Sequence, residues 1–321
     1  MAFRRLIVLA VVLLVPAIVR AQASVDSWSY LIDKLARDGV DRERATRLFA
    51  DPRIPPFTGL EFSLDVHESR ALYRPLLRAR SLAAARRCRA MHAASFKAAE
   101  RATGIPASVI AAILHVETAC GGHTGSSPVV YRLARLAMAD ESANLRANID
   151  RVAGTDPDLA RRVRERARYL ADTFYPEVRA VFELGDRLGV DPLTLRGSTS
   201  GAFGVPQFLP TSYLRYGTDA DGDGRVDLFD VADAAASCAR YLAAAGWRAG
   251  ASPAAQRGVI RRYNHSDAYV AAVLTIARAI DGSPAHTSAV TVARAGAGRK
   301  SAPACRRRSH GRSSPRRPRR A

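Results

Sequence analysis

The chain has 321 residues, 48% of them hydrophobic, with 49 Lys+Arg against 30 Asp+Glu for a formal charge of +19. That hydrophobic fraction excludes a disordered chain and suffices for one large core or two small ones. The charge sits at the ends: residues 286–321 carry eleven basic side chains and no acid, residues 1–23 three more, and the stretch between holds 35 basic against 30 acidic. Charge alone therefore excludes reading the folded part as a basic nucleic-acid binder.

Residues 1–23 read as a secretory signal. Arg4-Arg5 make the positive start, Leu6 to Val19 is an apolar run too short to span a bilayer, and Ala21-Gln22-Ala23 is a cleavage site. An uncleaved membrane anchor is the alternative. With no Cys near the cleavage site, a lipid anchor there is excluded. The expected product is exported, periplasmic or wall-associated, and soluble from Ser24 onward.

Residues 24–285 read as predominantly helical, rich in Ala, Leu and Arg, with little strand-like alternation. Helices are predicted over 26–38, 68–102, 106–120, 129–139, 157–190, 230–245, 253–262 and 267–280, separated by Gly and Pro. In the third of these, Ile110, Ile113, Leu114 and Glu117 share a face, so a carboxylate joins an apolar stripe at the helix's C-terminal end. Burial and the negative end of the helix dipole both disfavour its charged form, which predicts a pKa raised toward ~6 and a group able to donate a proton near neutrality. A buried Glu satisfied by an Arg or by backbone amides is the alternative.

Gly197 to Tyr213 crowds glycines, hydroxyls, an amide and aromatics together, a mixture suited to a sugar; an ordinary Gly-rich loop is the alternative. Asp219 to Asp230 fits a single EF-hand-like loop. Asp219, Asp221, Asp223 and Asp227 stand at oxygen-ligand positions, Gly224 at the sharp turn, and Arg225 offers its carbonyl. Asp230 closes the loop in place of Glu, or else caps the next helix, with Asp233 in its first turn. A structural Ca2+ is expected there. Tyr263-Asn264 reads alone as a turn. Of the four cysteines, Cys88, Cys120, Cys238 and Cys305, a single disulfide is as expected as none, and no pair is singled out. The Arg-, Ser-, Pro- and Gly-rich segment 286–321 has too little apolar surface to order itself.

These segments, in this order, resemble the lytic murein transglycosylase B family. The resemblance rests on Val116-Glu117-Thr118 followed by Gly121, and on Gly201-Ala202-Phe203-Gly204 with Gln207-Phe208-Leu209-Pro210. The acidic loop, Tyr241-Leu242 before Gly246-Trp247, and Tyr263-Asn264 with Tyr269 complete it; it covers roughly 26–281. It implies a mainly α, lysozyme-like catalytic domain over 24–285 with the calcium loop embedded in it. Glu117 becomes the single acid/base. Ser198, Gln207, Phe208, Tyr241 and Tyr263 become sugar-cleft residues, and Asp219, Asp221, Asp223, Arg225, Asp227 and Asp230 the calcium loop.

The implied reaction cleaves the bond between N-acetylmuramic acid and N-acetylglucosamine in peptidoglycan glycan strands. Glu117 protonates the leaving oxygen and then takes the proton of the muramic C6 hydroxyl, which attacks C1 to give a 1,6-anhydro sugar. One carboxylate serves where a glycosidase ordinarily uses two. The family's Pro-Arg-Arg stretch is replaced here by Asp140-Glu141-Ser142-Ala143-Asn144-Leu145-Arg146. A hydrolytic muramidase and a non-catalytic calcium-stabilised wall-binding protein are the alternatives. A monomer is expected, with no organic cofactor and no physiological nucleic acid. The basic tail is either a solvated extension or an electrostatic tether to the anionic envelope.

Overall fold

The computed structural model describes residues 22, 24–65 and 68–282. The predicted signal segment, save Gln22, and the predicted basic tail with Cys305 lie outside the described residues. Among the described residues no helix is long and apolar enough to cross a membrane.

Thirteen α-helices are seen among the described residues: α1 over 24–37, α2 Arg42–Ala50, α3 Arg70–Tyr73, α4 Ala79–Met91, α5 Ala93–Thr103, α6 Ala107–Thr118, α7 Val129–Ala137, α8 Ser142–Val152, α9 Pro157–Leu188, α10 Pro210–Tyr216, α11 Val231–Ala244, α12 Pro253–Tyr263 and α13 Asp267–Ile280. Two residues each of β1 (Ser127–Pro128) and β2 (Arg196–Gly197) pair antiparallel, Ser127 opposite Gly197. Most predicted helices stand close to their expected limits. The predicted helix over 68–102 is instead four pieces, because Pro75 begins a 3-10 turn over Arg74–Leu77 and His92 breaks the chain between α4 and α5. The sequence pattern also passed over α2, α8 and α10. Two of them start on a side-chain cap: Asp41 accepts from Arg44 N, and Glu141 from Ala143 N and Asn144 N.

Two main apolar clusters organise these helices. One joins α4, α5, α6, α11 and α13 around Ile110, Ile113, Leu114, Leu242 and Val273, each fully buried. The other joins α1, α2, α7 and α9 around Trp28, Phe49, Leu133, Val181 and Phe203. At ~25 cal/mol per Å2, each fully buried Leu or Ile contributes on the order of 2 kcal/mol. Tyr241 and Tyr263 pack against both clusters, so they stand on the seam between them.

α6 lies in the middle of the first cluster. From Ala107 to His115 every residue is buried, so this helix is not the one-striped amphipathic helix its spacing suggested. Only its last turn opens outward, at Val116 and Glu117. α9 keeps its helix through Pro176, and the next residue, Glu177, is buried with its carboxylate accepting from Thr211 N and Oγ1 at the start of α10. A tertiary carboxylate thus caps a helix whose own sequence supplies no capping side chain.

Candidate active site

Glu117 is positioned by the way α6 ends. The sequence pattern runs this helix to residue 120, yet Ala119 and Cys120 already adopt positive φ, 52° and 58°. Such a conformation costs a non-glycine residue on the order of 1 kcal/mol and persists only when its surroundings enforce it. Three contacts enforce it here. Cys120 is disulfide-bonded to Cys88 on α4, Thr118 Oγ1 donates to Val205 O at 2.9 Å, and Gly121 N donates to Thr118 Oγ1 at 2.9 Å. Cys238 is free and buried.

Tyr269 Oη on α13 donates to Glu117 Oε1 at 2.6 Å. Burial pushes the Glu117 pKa up to about 7; the Tyr269 hydrogen bond pulls it down, and the charge of Glu68 adds to the rise. Among the described residues no arginine pairs with Glu117, which leaves a carboxyl group able to stay protonated near neutrality. This matches the upward direction expected from the helix, with desolvation rather than the dipole as its leading cause. Glu68 is itself engaged, accepting from Tyr73 Oη at 2.5 Å. Tyr73 stands edge-on to Tyr269, ring centres 6.1 Å apart.

An aromatic wall continues from Tyr269. Tyr263 lies parallel to it at 6.4 Å, Tyr241 meets Tyr263 at 4.9 Å, and Phe208 meets Tyr241 and Tyr263 at 5.8 and 6.1 Å. Their polar ends are fixed: Tyr263 Oη donates to Pro206 O at 2.5 Å and Tyr241 Oη to Arg262 O at 2.8 Å. Tyr241, Tyr263 and Phe208, which are far apart in sequence, are thus brought together beside Glu117.

Gln207 and Ser198 belong to the loop between β2 and α10. Gln207 has φ 51° and donates its amide to Gly204 O at 2.8 Å within the loop and to Thr124 O at 3.2 Å in the segment after α6, so both amide protons are used. Its carbonyl oxygen remains for a ligand. Ser198 Oγ accepts from Ala202 N at 3.1 Å and keeps its own proton to donate. Gly204 is required where it stands: a Cβ there would sit 2.5 Å from the Cβ of Leu228. That close approach joins the loop to the acidic segment, with Val205 N donating to Leu228 O at 2.7 Å.

In the acidic segment, Asp219, Asp221 and Asp233 offer carboxylate oxygens that all lie within 4.8 Å of one another. An all-oxygen donor set of this kind suits a hard cation such as Ca2+. The grouping adds Asp233 to the residues expected there. Asp230 caps α11, accepting from Ala232 N at 2.6 Å, and Asp233 stands in the cluster instead. Asp223 and Asp227 accept from Arg225 N and Phe229 N in their own turns. Asp233 was detectable only as an acid in the first turn of a helix, the usual sign of helix-dipole complementation. Here it is buried, and its oxygens accept from Ala220 N and Asp227 N, both at 2.7 Å.

The stretch 140–146 brings no arginine to the site. Tyr30 Oη donates to Asp140, Glu141 caps α8, and Asn144 is buried and accepts from Leu60 N at 2.7 Å, while Arg146 is exposed.

The family described as the transglycosylase SLT domain matches residues 24–257. Membrane-bound lytic murein transglycosylase B of Escherichia coli is 33% identical over 144 residues, which is 45% of this chain and 32% of that protein. The chain thus matches about a third of the length of that relative. Escherichia coli lytic transglycosylase Slt35, solved with bulgecin A, superposes with a TM-score of 0.61 at 21% identity over 79% of this chain and 92% of that one; it has also been solved with calcium. SltB3 of Pseudomonas aeruginosa, solved with NAG-anhNAM-pentapeptide, superposes at 0.59 with 20% identity over 82% and 80%. At these identities the likeness establishes a common fold.

Proposed function

Since the chain belongs to the transglycosylase SLT domain family, we propose that it is a lytic transglycosylase that cleaves the β-1,4 bond between N-acetylmuramic acid and N-acetylglucosamine in peptidoglycan. The observation that carries this reading is Glu117: a carboxyl pushed up to about 7, held on one oxygen by Tyr269 and flanked by an aromatic wall. Such a group is protonated when the sugar arrives and can give that proton to the departing glycosidic oxygen. As the carboxylate it then accepts the proton of the muramic C6 hydroxyl. That hydroxyl closes on C1 of its own sugar and forms the 1,6-anhydro product without water, an attack favoured by proximity. Tyr241 and Tyr263 offer ring faces to the sugars, and Ser198 and Gln207 offer hydrogen bonds; Phe208, expected in the cleft but only 3% exposed, backs the two tyrosines from the core.

Residues 219–233 would hold a structural Ca2+ through Asp219, Asp221 and Asp233. When bound, the ion offsets the mutual repulsion of these acids and braces the loop that Val205 and Leu228 tie to the site. Residues 1–23 would direct export and be removed, and the basic residues of 286–321 would tether the enzyme to anionic envelope polymers. A hydrolytic muramidase, which would call on a second carboxylate or a water, is the alternative reading. Digesting purified peptidoglycan and weighing the products separates the two. Products lighter by one water, the anhydro sugars, support the transglycosylase; reducing ends overturn it.

A further inference from the structure

The disulfide seen among the described residues joins Cys88 to Cys120, and it lands three residues beyond Glu117. Cys88 lies on the buried face of α4, and Cys120 is half-buried in the turn that ends α6. That turn is unusual in what fills it. A helix commonly ends on a left-handed glycine, but here Ala119 and Cys120 take two left-handed positions in a row, at φ 52° and 58°. Both carry a Cβ, so their own preference is to continue the right-handed helix. Ala119 N donates to His115 O at 2.9 Å and Cys120 N to Leu114 O at 3.0 Å, bonds that fold the chain back over the last turn, where Glu117 stands. The bridge is the covalent link that holds Cys120 in this turn.

Elsewhere α4 and α6 stay joined without it. Ser81 Oγ lies 2.8 Å from His115 Nε2, and Ala85 of α4 belongs to the same apolar cluster as Ile110, Ile113 and Leu114. The titratable groups that face Glu117, namely Tyr269, Tyr263, Cys238 and Glu68, stand on α13, α12, α11 and the segment before α3. Opening the bridge therefore releases the turn and leaves the fold and the aromatic wall in place. We propose that the Cys88–Cys120 disulfide is a positioning element for Glu117, and that the enzyme cuts glycan at full rate only with the bridge closed. The proposal rests on the peptidoglycan reading given above. Closure is thiol–disulfide exchange with an external disulfide. The thiolate of Cys120, the more exposed of the two, attacks that disulfide and expels one thiolate; the thiolate of Cys88 then attacks the Cys120 sulfur and expels the second. Two protein thiols are oxidised, and the external disulfide is reduced to two thiols. With the bridge open, Ala119 and Cys120 turn right-handed, α6 runs on, and water reaches the carboxyl that burial keeps protonated. Thiols stay reduced in the cytoplasm and are oxidised outside it, so the bridge withholds full activity until export.

The test measures cleavage of soluble glycan strands, below the melt, by oxidised protein, by dithiothreitol-reduced protein with its thiols counted, and by Cys88→Ala/Cys120→Ala. Opening the bridge should lower kcat by about 10- to 10²-fold, the scale on which a misplaced reacting group slows an enzyme. KM should hold, and the alkaline limb of the rate profile should move to lower pH as Glu117 gains water. Reoxidation should restore the reduced wild type. Cys88→Ala/Cys120→Gly should recover most of the rate, because glycine takes the left-handed turn unaided. Full kcat with an unmoved limb in the folded, open forms overturns the proposal and leaves the bridge a staple of stability only. A glycine variant as slow as the alanine variant overturns it too. Should the alanine variant fail to fold, reduced wild type and the glycine variant make the same comparison. Should the oxidised enzyme cut no glycan, the peptidoglycan reading fails instead. The titration of Glu117, followed by NMR of labelled glutamate in oxidised and reduced protein, then tests the bridge by itself: a lower midpoint in the open form supports it, and equal midpoints overturn it.

Discussion

The end of α6 and the acidic segment 219–233 use the same functional group in opposite surroundings. Glu117 is held by one phenol in an apolar setting that favours its neutral form, with a pKa near 7. Asp219, Asp221 and Asp223 lie in solvent, each accepting from backbone amides of its own turn. Amide donors and water favour the charged form of a carboxyl, and desolvation favours the neutral one. One environment therefore prepares a proton donor and the other an array of cation ligands. Asp233 stands between these extremes: burial pushes its pKa up, the amides of Ala220 and Asp227 pull it down, and Asp221 and Asp219 push it up again. It is a buried acid set against other acids, the arrangement most in need of a cation.

The largest expected effect breaks the Glu117 half of this contrast. Glu117→Gln keeps the shape of the side chain and removes the proton. Cleavage of peptidoglycan should fall at least roughly 10²–10⁴-fold, the usual worth of general acid/base assistance, with the melt retained. A folded, active variant rules out the assignment.

The Glu117 environment also sets a pH dependence of definite sign. The Glu117 pKa in the fold, about 7, exceeds its ordinary 4.5, so the native state holds the proton longer than the unfolded state does. Its contribution to stability is present in full below pH 4.5 and is lost as pH rises through 7. Glu117→Gln should therefore melt above the wild type at pH 8, with the gain disappearing at pH 4, and wild-type activity should fall as pH passes about 7. Equal melting differences at both pH values refute the buried neutral carboxyl.

Tyr269→Phe sharpens the same point. Its hydroxyl lowers the Glu117 pKa, so its loss should move the alkaline limb of the rate profile to higher pH and reduce kcat about tenfold, in keeping with one hydrogen bond to a charged group. A profile that does not move shows that Tyr269 acts only by packing.

The acidic segment should respond in stability and little in chemistry. Ca2+ at a hundredfold excess over its Kd adds about 2.7 kcal/mol, or roughly 5–10 °C for a domain of this size. Asp221→Ala should abolish that shift and leave the metal-free melt almost unchanged. Asp233→Ala should also lower the metal-free melt, because it removes the acceptor of two part-buried amide bonds, worth on the order of 1 kcal/mol each. Asp223→Ala, outside the three-carboxylate group, should have the smallest effect. A melt indifferent to Ca2+ in chelator-treated protein refutes the cation site.

Much of this contrast was legible in one dimension. The Asp-x-Asp-x-Asp-Gly spacing announces a cation loop because its geometry is local: each acid reaches an amide two to five residues away. Helix-compatible runs bounded by Gly and Pro placed α6, α7, α9, α11, α12 and α13 for the same reason, since i to i−4 hydrogen bonds need only neighbours. Glu117 stood out as an acid in an apolar pattern. The tertiary structure decided what depends on distant partners. Tyr269 lies 152 positions from Glu117, and the Cys88–Cys120 bridge could not be told from other pairings until α4 packed on α6. Asp233 displaced Asp230 from the acidic cluster because Asp230 was already spent on capping α11, and the start of α10 relies on Glu177 from another helix. Spacing along the chain sets which residues can meet within a turn. Which carboxyl is dried and kept neutral, and which is left to water and amides, follows from how the helices close around it, because desolvation comes from atoms that are remote in sequence.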